Sequence, residues 1–308
     1  GDENMRCRDL FTALWVNDLF MKRVKEGSDW SLFCPSDAPD LQDSWGADFE
    51  ARYEAHEAAG RARRTVPARE VWGAILESQV ETGTPYMVFK DTANRCSNQQ
   101  HLGCVRSSNL CAEIIEYSSA DETAVCNLGS VVLGNLVRSG DGRSFDFDAL
   151  AEVTRTMISA LDRVIDTNFY PVETARRSNL RHRPVGLGVQ GLTDVFLALR
   201  VPFSSPEAVK LSADIMETMY FAALDVSCDL AAELGAYETF PGSPASEGRL
   251  QFDLRGRTEH VYAHGRIGRS RWETLKEKIR SRGLRNSLLL AVMPTASTAQ
   301  ICGSVESV

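Results

Sequence analysis

The residues best suited to chemistry lie in one stretch, from Ser108 to Ser130, which contains two cysteines. Asn109, Cys111 and Glu113 occupy every second position near its start. In an extended backbone this spacing places all three side chains on one face. An amide, a thiol and a carboxylate able to act as a base would then face the same space. The pattern predicts a reactive face that the rest of the chain holds against a substrate.

The chemistry of Cys111 and Cys126 is open to three interpretations. Burial as a structural thiol is the commonest fate of cysteine in a core. A nucleophilic thiol would need a base such as histidine, and none lies close to either cysteine in the sequence. Redox or radical chemistry would suit a thiol flanked by an amide and a carboxylate, with a second thiol fifteen residues on.

An anion site is predicted at 288–300, where an apolar strand runs into a helix beginning near Pro294. The first amides of a helix lack internal partners, and proline suits the first turn. Together with nearby hydroxyls these amides would bind a phosphate well. The hydroxyls belong to Thr295, Ser297 and Thr298. An ordinary helix cap without a ligand explains the local pattern equally well.

The glycine run from Gly186 to Gly191 matches GxGxxG, the fingerprint of dinucleotide-binding proteins. That fingerprint needs an acidic residue at the end of a second strand about 20 residues later. Here the corresponding residues, near 211, fall inside a predicted long helix. The run is therefore not expected to bind a nicotinamide cofactor, and close packing of a helix on a strand would explain the glycines.

The remaining patterns predict the elements that position these residues. Apolar residues at helical spacing predict helices at 6–26, 44–60, 69–81, 146–166, 192–200, 205–234 and 271–282. Strands are predicted within 82–91, 127–137, 184–191 and 285–293. Residues 61–68 and 240–270 are predicted to be loops. Helices alternating with isolated strands are typical of the α/β class.

Composition favours a globular protein and argues against several other classes. Its 43% hydrophobic and 25% charged residues are ordinary for such a chain, and no apolar run is long enough to span a membrane. A net charge of −8 argues against a general nucleic-acid-binding surface. The basic segment 249–285 is the exception and is predicted to be a solvated face.

The eight cysteines are too sparse for a disulfide scaffold, and no CxxC pair supports a zinc site. A reducing, cytoplasmic compartment is therefore expected. The histidines show no metal-ligand spacing and are predicted to be surface or capping residues: His56, His101, His182, His260 and His264. The sequence has no secretory signal, initiating Met or obvious stop, so both ends are expected to continue into a longer chain.

Several long motifs, spread over nearly the whole sequence, resemble one enzyme family in that family's order. They are SNLCAEIIEY, DETAVCNLGS, RHRPVGLGVQGLTD, ETGTPYMVFKD, RNSLLLAVMPTASTAQI and DLFMKRV…DWSLFCP. These motifs are similar to those of the large (alpha, catalytic) subunit of class I ribonucleotide reductase of the eukaryotic type. Only residues 236–285 match loosely.

The resemblance implies an α/β fold that is part of a ten-stranded α/β barrel made of two antiparallel halves. A finger loop inside this barrel would carry the radical cysteine, Cys111. Residues 1–308 would form one partial barrel domain. The family's N-terminal ATP-binding domain, upstream half-barrel and C-terminal tail would lie outside this sequence.

The resemblance also implies roles for the candidate residues. Cys111 would become a thiyl radical that takes the 3′ hydrogen of the ribose. Glu113 would act as base on the 3′ hydroxyl, and Asn109 would hydrogen-bond the sugar. Cys126 would be one of two thiols that reduce the substrate by forming a disulfide. Phosphate binding is then favoured over a simple cap, and the substrate diphosphate would bind Thr295, Ala296, Ser297 and Thr298.

The implied activity is reduction of ribonucleoside diphosphates to deoxyribonucleoside diphosphates for DNA synthesis. The implied partners are a radical-generating, metal-containing small subunit, a second large subunit in a homodimer, and thioredoxin or glutaredoxin as reductant. ATP and deoxynucleotide effectors would bind outside this sequence, and no metal, nucleic-acid or membrane site is expected within it. The alternative is a catalytically inactive fragment or assembly module that needs a second chain to complete the barrel.

Two places depart from the family's pattern. Residues 302–306 replace a usual leucine–glycine–asparagine–asparagine–glutamate run, which alters the edge of the expected phosphate pocket at Ser304 and Val305. Gly129 stands where alanine is usual. In the family, the second reducing thiol lies upstream of the position of Gly1, and the tyrosines that relay the radical lie beyond that of Val308.

Overall fold

A computed structural model of the chain describes residues 10–138, 140 and 143–307. The chain forms two compact units, the first ending at Tyr117 and the second beginning at Ser118. Residues 6–9 of the first predicted helix lie outside the described residues.

The first unit combines two short strand pairs with helices. β1 (Ala13–Val16) pairs in parallel with β4 (Tyr86–Phe89), and β2 (Asp29–Leu32) pairs antiparallel with β3 (Arg64–Pro67). The helices are α1 (Asp18–Glu26), α2 (Gly46–Ala58), α3 (Ala68–Thr82) and α4 (Lys90–Arg95). Aromatic packing fixes much of this unit, and Trp30 of β2 stacks on Tyr53 with ring centroids 4.4 Å apart.

The prediction of one helix over 6–26 is wrong before Asn17, because Ala13–Val16 forms β1. These residues become a strand through pairing with β4, a contact that local spacing does not reveal. Asp91 then fixes the change from strand to helix. One of its carboxylate oxygens accepts from the Asp18 amide at 2.7 Å, and the other accepts from the Asn17 side chain at 3.1 Å.

The second unit is built around a parallel strand pair. β5 (Asn127–Val132) pairs with β8 (Val185–Gln190), so that Asn127 lies opposite Val185. Residues 288–291 run along the other edge of β8. The Leu187 amide donates to the Leu289 carbonyl at 2.9 Å, and the Ala291 amide donates back to the Leu187 carbonyl at 3.2 Å. The segment predicted as a strand within 285–293 therefore runs beside β8, but only Leu290 forms a bridge, with Leu187, and no full strand is present within these described residues.

Helices and a small hairpin complete the second unit. β6 (Val137–Arg138) pairs antiparallel with β7 (Ser144–Phe145). The helices are α5 (Phe147–Thr167), α6 (Glu173–His182), α7 (Leu192–Leu199), α8 (Pro206–Leu234), α9 (Gln251–Leu254), α10 (Thr258–His264), α11 (Arg269–Arg282) and α12 (Ala296–Cys302).

The helices predicted at 146–166 and 205–234 are confirmed as α5 and α8, and their starts carry local signals. The Asp146 side chain accepts from the Ala149 amide at 3.0 Å, and the Ser205 side chain accepts from the Ala208 amide at 3.2 Å. Both are N-caps of the kind that satisfies otherwise unpaired amides. Two predicted loops are wrong: 61–68 contains β3, and 240–270 contains α9 and α10.

The two faces of the β5–β8 pair differ. Odd-numbered residues such as Val131, Leu187 and Val189 are buried in the apolar core with α5 and α8. A Cβ added at Gly129, on this face, would meet Met157 and Leu161 of α5. Side chains alternate along a strand, so Cys126, Ser130 and Gln190 lie on the opposite face.

The mixed α/β class is confirmed. Across residues 10–138, 140 and 143–307 the strands form four two-stranded pairs, and no closed barrel is present. Within the same residues no helix is both long and apolar enough to cross a membrane.

Candidate active site

The backbone at Asn109 forms a turn, so the extended conformation considered for 109–113 is wrong. The Ala112 amide donates to the Asn109 carbonyl at 3.2 Å, and Ala112 has a φ of 62°. The Asn109 side-chain oxygen accepts from the Ile114 amide at 3.0 Å. Asparagine competes for nearby backbone amides in this way and so favours turns over strands.

This turn places the three candidate side chains in different environments. Cys111 is an exposed free thiol at the turn itself. Glu113 is half-buried, and its Oε2 atom is fully buried without a hydrogen-bond partner among the described residues. Leaving a buried acceptor unpaired costs about 1–3 kcal/mol. The turn thus presents a reachable thiol two residues from a carboxylate oxygen with free acceptor capacity.

A cavity of about 400 Å³ lies beside this turn, within the first unit. Its volume falls in the range of small-molecule sites. Its lining mixes aromatic rings, a guanidinium group and hydroxyls, and includes Trp15, Tyr86, Arg106, Ser107, Ser108 and Asn109. Asn109 therefore borders a space large enough for part of a small ligand.

Asn94 of α4 holds the segment that leads to the turn, a role that sequence reasoning missed. It is fully buried; its side-chain oxygen accepts from the Val105 amide at 2.7 Å and its nitrogen donates to the Val105 carbonyl at 3.0 Å. Further along, the Tyr117 amide donates to the Gln99 side chain at 2.8 Å. A buried amide inside a polar helix has no distinctive sequence signal, so only the fold reveals it.

Cys126 comes immediately before β5, and its side chain is half-buried. It lies on the face that α5 does not cover, together with Ser130, Gly186 and Gln190. The Gln190 side-chain nitrogen donates to the Ser130 hydroxyl at 3.1 Å. This face therefore combines a thiol, a hydrogen-bonded amide and hydroxyl, and a glycine that has no side chain.

The glycines of β8 have a different explanation from the predicted packing of a helix on a strand. A Cβ at Gly186 would meet side chains of Leu128, Cys126 and Ala291, and one at Gly188 would lie 2.5 Å from the Ala291 carbonyl oxygen. Both glycines therefore allow close approach of neighbouring strands and of the thiol, on the face away from α5.

A buried ionic group anchors the segment just before Cys126. Glu122 accepts from Arg181 at 2.8 Å and lies 3.0 Å from the Nε2 atom of His182. Burial raises the pKa of Glu122, but the hydrogen bonds from Arg181 and His182 outweigh it and leave that pKa below its ordinary value. Burial lowers the pKa of His182. His182 is only 1% exposed, so its prediction as a surface or capping residue is wrong.

The junction predicted to bind phosphate does start a helix, α12, directly after Thr295. Thr295 is buried, and its hydroxyl oxygen accepts from the Ser307 amide at 2.7 Å. The Thr298 hydroxyl donates to the Thr295 carbonyl at 3.2 Å. Ala296, Ser297 and Thr298 are exposed. The exposed first turn, rather than the Thr295 hydroxyl, is the part available to a ligand.

Asp194 of α7 holds the segment that follows α12. Its Oδ2 atom accepts from the Val305 amide at 2.9 Å and from the Ser304 hydroxyl at 3.2 Å. A Cβ at Gly191 would lie 2.4 Å from the Ser304 hydroxyl oxygen. Gly191 also has a φ of 76°, a conformation that favours glycine.

The basic segment 249–285 is not simply a solvated face. Lys276 is 5% exposed and bonds to Asp253 at 2.9 Å. Lys278 bonds to Asp225 at 2.5 Å. These two positive charges are therefore neutralised by carboxylates of the second unit.

The sequence matches a family model over residues 1–308, and that model describes the barrel domain of ribonucleotide reductase. The chain belongs to this family. It is 54% identical over 308 residues to the ribonucleoside-diphosphate reductase large subunit of Danio rerio, covering 100% of the chain and 38% of that protein. It is 53% identical over 323 residues to the large subunit of Arabidopsis thaliana, covering 99% and 39%.

The large chain of Schizosaccharomyces pombe is 52% identical over 306 residues, covering 99% of this chain and 36% of that protein. The chain thus spans somewhat more than a third of the length of these relatives. Asn109, Cys111 and Glu113 of this ribonucleotide reductase domain lie in one turn of the first unit. Cys126 lies directly before β5 in the second unit, and the 295–298 segment forms the start of α12 in the same unit.

Proposed function

We propose that the chain is the central part of the catalytic subunit of a ribonucleoside-diphosphate reductase. The observation that carries this proposal is identity of 51–54% over nearly all of the chain to proteins named as large subunits or chains of that enzyme. The exposed thiol of Cys111, two residues before the unpaired oxygen of Glu113, supports a site for radical chemistry on a sugar.

In the proposed reaction Cys111 begins as a thiyl radical, which the family's radical-generating small subunit supplies. The radical takes the 3′ hydrogen of the ribose, so that an S–H bond forms and a carbon radical remains. Glu113 accepts the proton of the 3′ hydroxyl and returns it to the 3′ oxygen once the sugar has been reduced. The 2′ hydroxyl leaves as water with one of the two protons that the reducing thiols supply. General acid–base help of this kind is worth roughly 10²–10⁴ in rate.

Cys126 and a second thiol, which the family carries upstream of the position of Gly1, then supply two electrons and two protons and become a disulfide. Cys111 returns its hydrogen to the 3′ carbon, which restores the radical on sulfur. Thioredoxin or glutaredoxin would reduce the disulfide for the next cycle. The homodimer and the ATP and deoxynucleotide effectors belong to the same proposal.

The contacts of Asn109 and the 295–298 segment suggest how the substrate is oriented. Because the Ile114 amide already engages the Asn109 oxygen, Asn109 would contact the sugar by donating from its side-chain nitrogen. The backbone amides of the exposed residues Ala296, Ser297 and Thr298 would bind the diphosphate. Thr295, which is buried and bonded to the Ser307 amide, would hold this turn in place. Fixing the sugar against the thiol matters because small misplacements are costly in rate.

The test is Cys111→Ser in the complete natural polypeptide, assayed with its radical-generating partner. We expect loss of all deoxynucleotide formation with substrate binding retained, because serine cannot carry a thiyl radical. Cys34→Ser, at another free thiol of the first unit, is the matched control and should remain active. Deoxynucleotide formation by the Cys111 variant would contradict the proposal. An inactive wild-type complex would favour the alternative of an assembly module.

A further inference from the structure

Gly186 of β8 and Cys126 meet on the face of the central sheet that lies opposite α5. Leu128 and Gly186 are register partners, and Cys126 projects to the same face two residues before Leu128. A Cβ at position 186 would lie 3.0 Å from the Cys126 sulfur, 2.6 Å from Leu128 Cδ2 and 3.0 Å from the Ala291 Cβ. The space beside the thiol is therefore the space that a side chain at 186 would occupy.

The backbone does not demand glycine at this position. Gly186 lies outside the set of residues with positive φ, whereas Gly191, five residues later, has a φ of 76°. Any residue could adopt the conformation of Gly186. The requirement at 186 is thus for the absence of a side chain, and the neighbours that would be displaced include the thiol.

We propose that Gly186 is a positioning residue for the thiol of Cys126. Its missing side chain leaves room for the sulfur to lie on the face of β5 and β8 opposite α5. This inference rests on the proposed role of Cys126 as a reducing thiol. Disulfide formation is sensitive to such placement, because the two Cβ atoms must lie about 3.5–4.5 Å apart with a torsion near 90°.

The first test is a double-mutant cycle on thermal unfolding of the complete polypeptide. Gly186→Ala is made in the wild type and in a Cys126→Ala background. If the new methyl group displaces the sulfur, the fall in melting temperature caused by Gly186→Ala should be clearly smaller once the sulfur is removed. Equal falls in the two backgrounds would overturn the proposal.

The cycle remains decisive if Gly186→Ala does not fold in the wild-type background. The proposal then requires the Gly186→Ala, Cys126→Ala double variant to fold. Failure of both would show that the contacts with Leu128 and Ala291 dominate, and it would also overturn the proposal.

The second measurement concerns the thiol itself. We expect Gly186→Ala to change the rate of Cys126 alkylation by iodoacetamide several-fold, as followed by peptide mass spectrometry. It should also lower kcat at least tenfold while KM for the ribonucleoside diphosphate stays unchanged, because the thiol acts after the substrate is bound. An unchanged alkylation rate in the folded variant would contradict the proposal.

Gly129→Ala is the matched control. Position 129 is on the neighbouring strand but on the opposite face, where a new Cβ would lie 3.0 Å from the flexible end of Met157. It should alter neither the alkylation rate nor kcat, and its effect on melting should be additive with Cys126→Ala. If Cys126→Ser retained turnover while the cycle with Gly186 remained non-additive, the redox role would fail and the positioning inference would stand.

Discussion

At the scale of single residues, the most informative feature is the unpaired oxygen of Glu113. A buried carboxylate oxygen without a donor is destabilising, so folding alone gives no reason for it. A substrate hydroxyl at this oxygen would supply the missing donor and would at the same time deliver the proton that the proposed mechanism removes. The Glu113 oxygen that destabilises the fold is thus also the atom proposed to accept the proton of the 3′ hydroxyl.

Glu113→Gln tests this link through two separate measurements. Deoxynucleotide formation should fall by about 10²–10⁴, the usual contribution of a general base. The melting temperature should not fall, because the amide preserves the shape and the Oε2 atom that it replaces makes no hydrogen bond that could be lost. Glu77→Gln, an exposed position on α3, is the control and should change neither quantity. A destabilised variant with normal turnover would show that Glu113 serves the fold instead.

The residue types of the candidate site could be identified from the sequence, but their arrangement could not. Asn109, Cys111 and Glu113 stand at alternate positions, which indicates a shared face only if the chain is extended. The turn arises because the Asn109 side chain captures the Ile114 amide. That competition between side chain and backbone depends on a local balance that spacing does not encode.

At the scale of elements, Glu122 and His182 tie the segment before Cys126 to the end of α6. His182 Nε2 lies 3.0 Å from Glu122, and its Nδ1 lies 2.8 Å from the Thr239 hydroxyl. A neutral ring that donates from Nε2 to Glu122 and accepts at Nδ1 satisfies both contacts. The anchor therefore works with His182 uncharged.

This anchor predicts that the second unit loses stability on acidification. Burial lowers the pKa of His182 below its ordinary value of 6.5, so below that pH the unfolded chain gains a proton that the folded chain does not. The stabilisation is complete above pH 6.5 and is lost as the pH falls toward the folded pKa. The lowered pKa of Glu122 acts in the same direction, but only below its ordinary value of 4.5.

The prediction is checked by melting curves between pH 7.5 and 5. The wild-type melting temperature should fall over this range, and the fall should be smaller in His182→Gln, whose side chain can still hydrogen-bond but does not titrate. An equal dependence on pH in both proteins would show that other groups control it. His264→Gln, an exposed histidine of α10, should behave like the wild type.

Elements with strong local signals were predictable, and elements made by distant pairing were not. α8 starts at a Ser–Pro cap and ends at Gly235, so its limits were predicted from the sequence. β1 and β3 were predicted as helix and loop, because their identity depends on partners far along the chain. The role of the GxGxxG run could not be predicted for the same reason. Its glycines make room for neighbouring strands and segments that no local sequence pattern identifies.

At the scale of the whole second unit, one buried ionic network joins four distant parts of the chain. Arg183 bonds to Asp162 of α5 at 3.0 Å and to Asp166 at 2.8 Å. Asn286 lies just before the segment 288–291 that runs along β8. Its side-chain nitrogen donates to Asp162 at 2.9 Å, and the Ser227 hydroxyl of α8 donates to its side-chain oxygen at 2.9 Å. The network thus holds α5 and α8 against the segment that leads to residues 295–298.

Burial opposes the charge of Arg183, but Asp166 and Asp162 outweigh it and raise the pKa of this guanidinium. Arg183→Met should therefore be far more damaging than loss of an ordinary ion pair, because it leaves Asp162, 2% exposed, without its principal counter-charge. Breaking a buried pair on one side costs about 3–5 kcal/mol, whereas an exposed pair is worth about 0–1 kcal/mol.

Arg176→Met provides the comparison, since Arg176 is exposed on α6, the helix that ends directly before Arg183, and pairs with Glu173 at 3.5 Å. The two variants should be compared by hydrogen exchange of peptides from α5 and α8, which isolates the second unit within the complete polypeptide. Protection should drop by about 10²–10⁴ for Arg183→Met, as that loss of free energy requires, and change little for Arg176→Met. Similar protection in the two variants would mean that apolar packing, not this network, holds the second unit together.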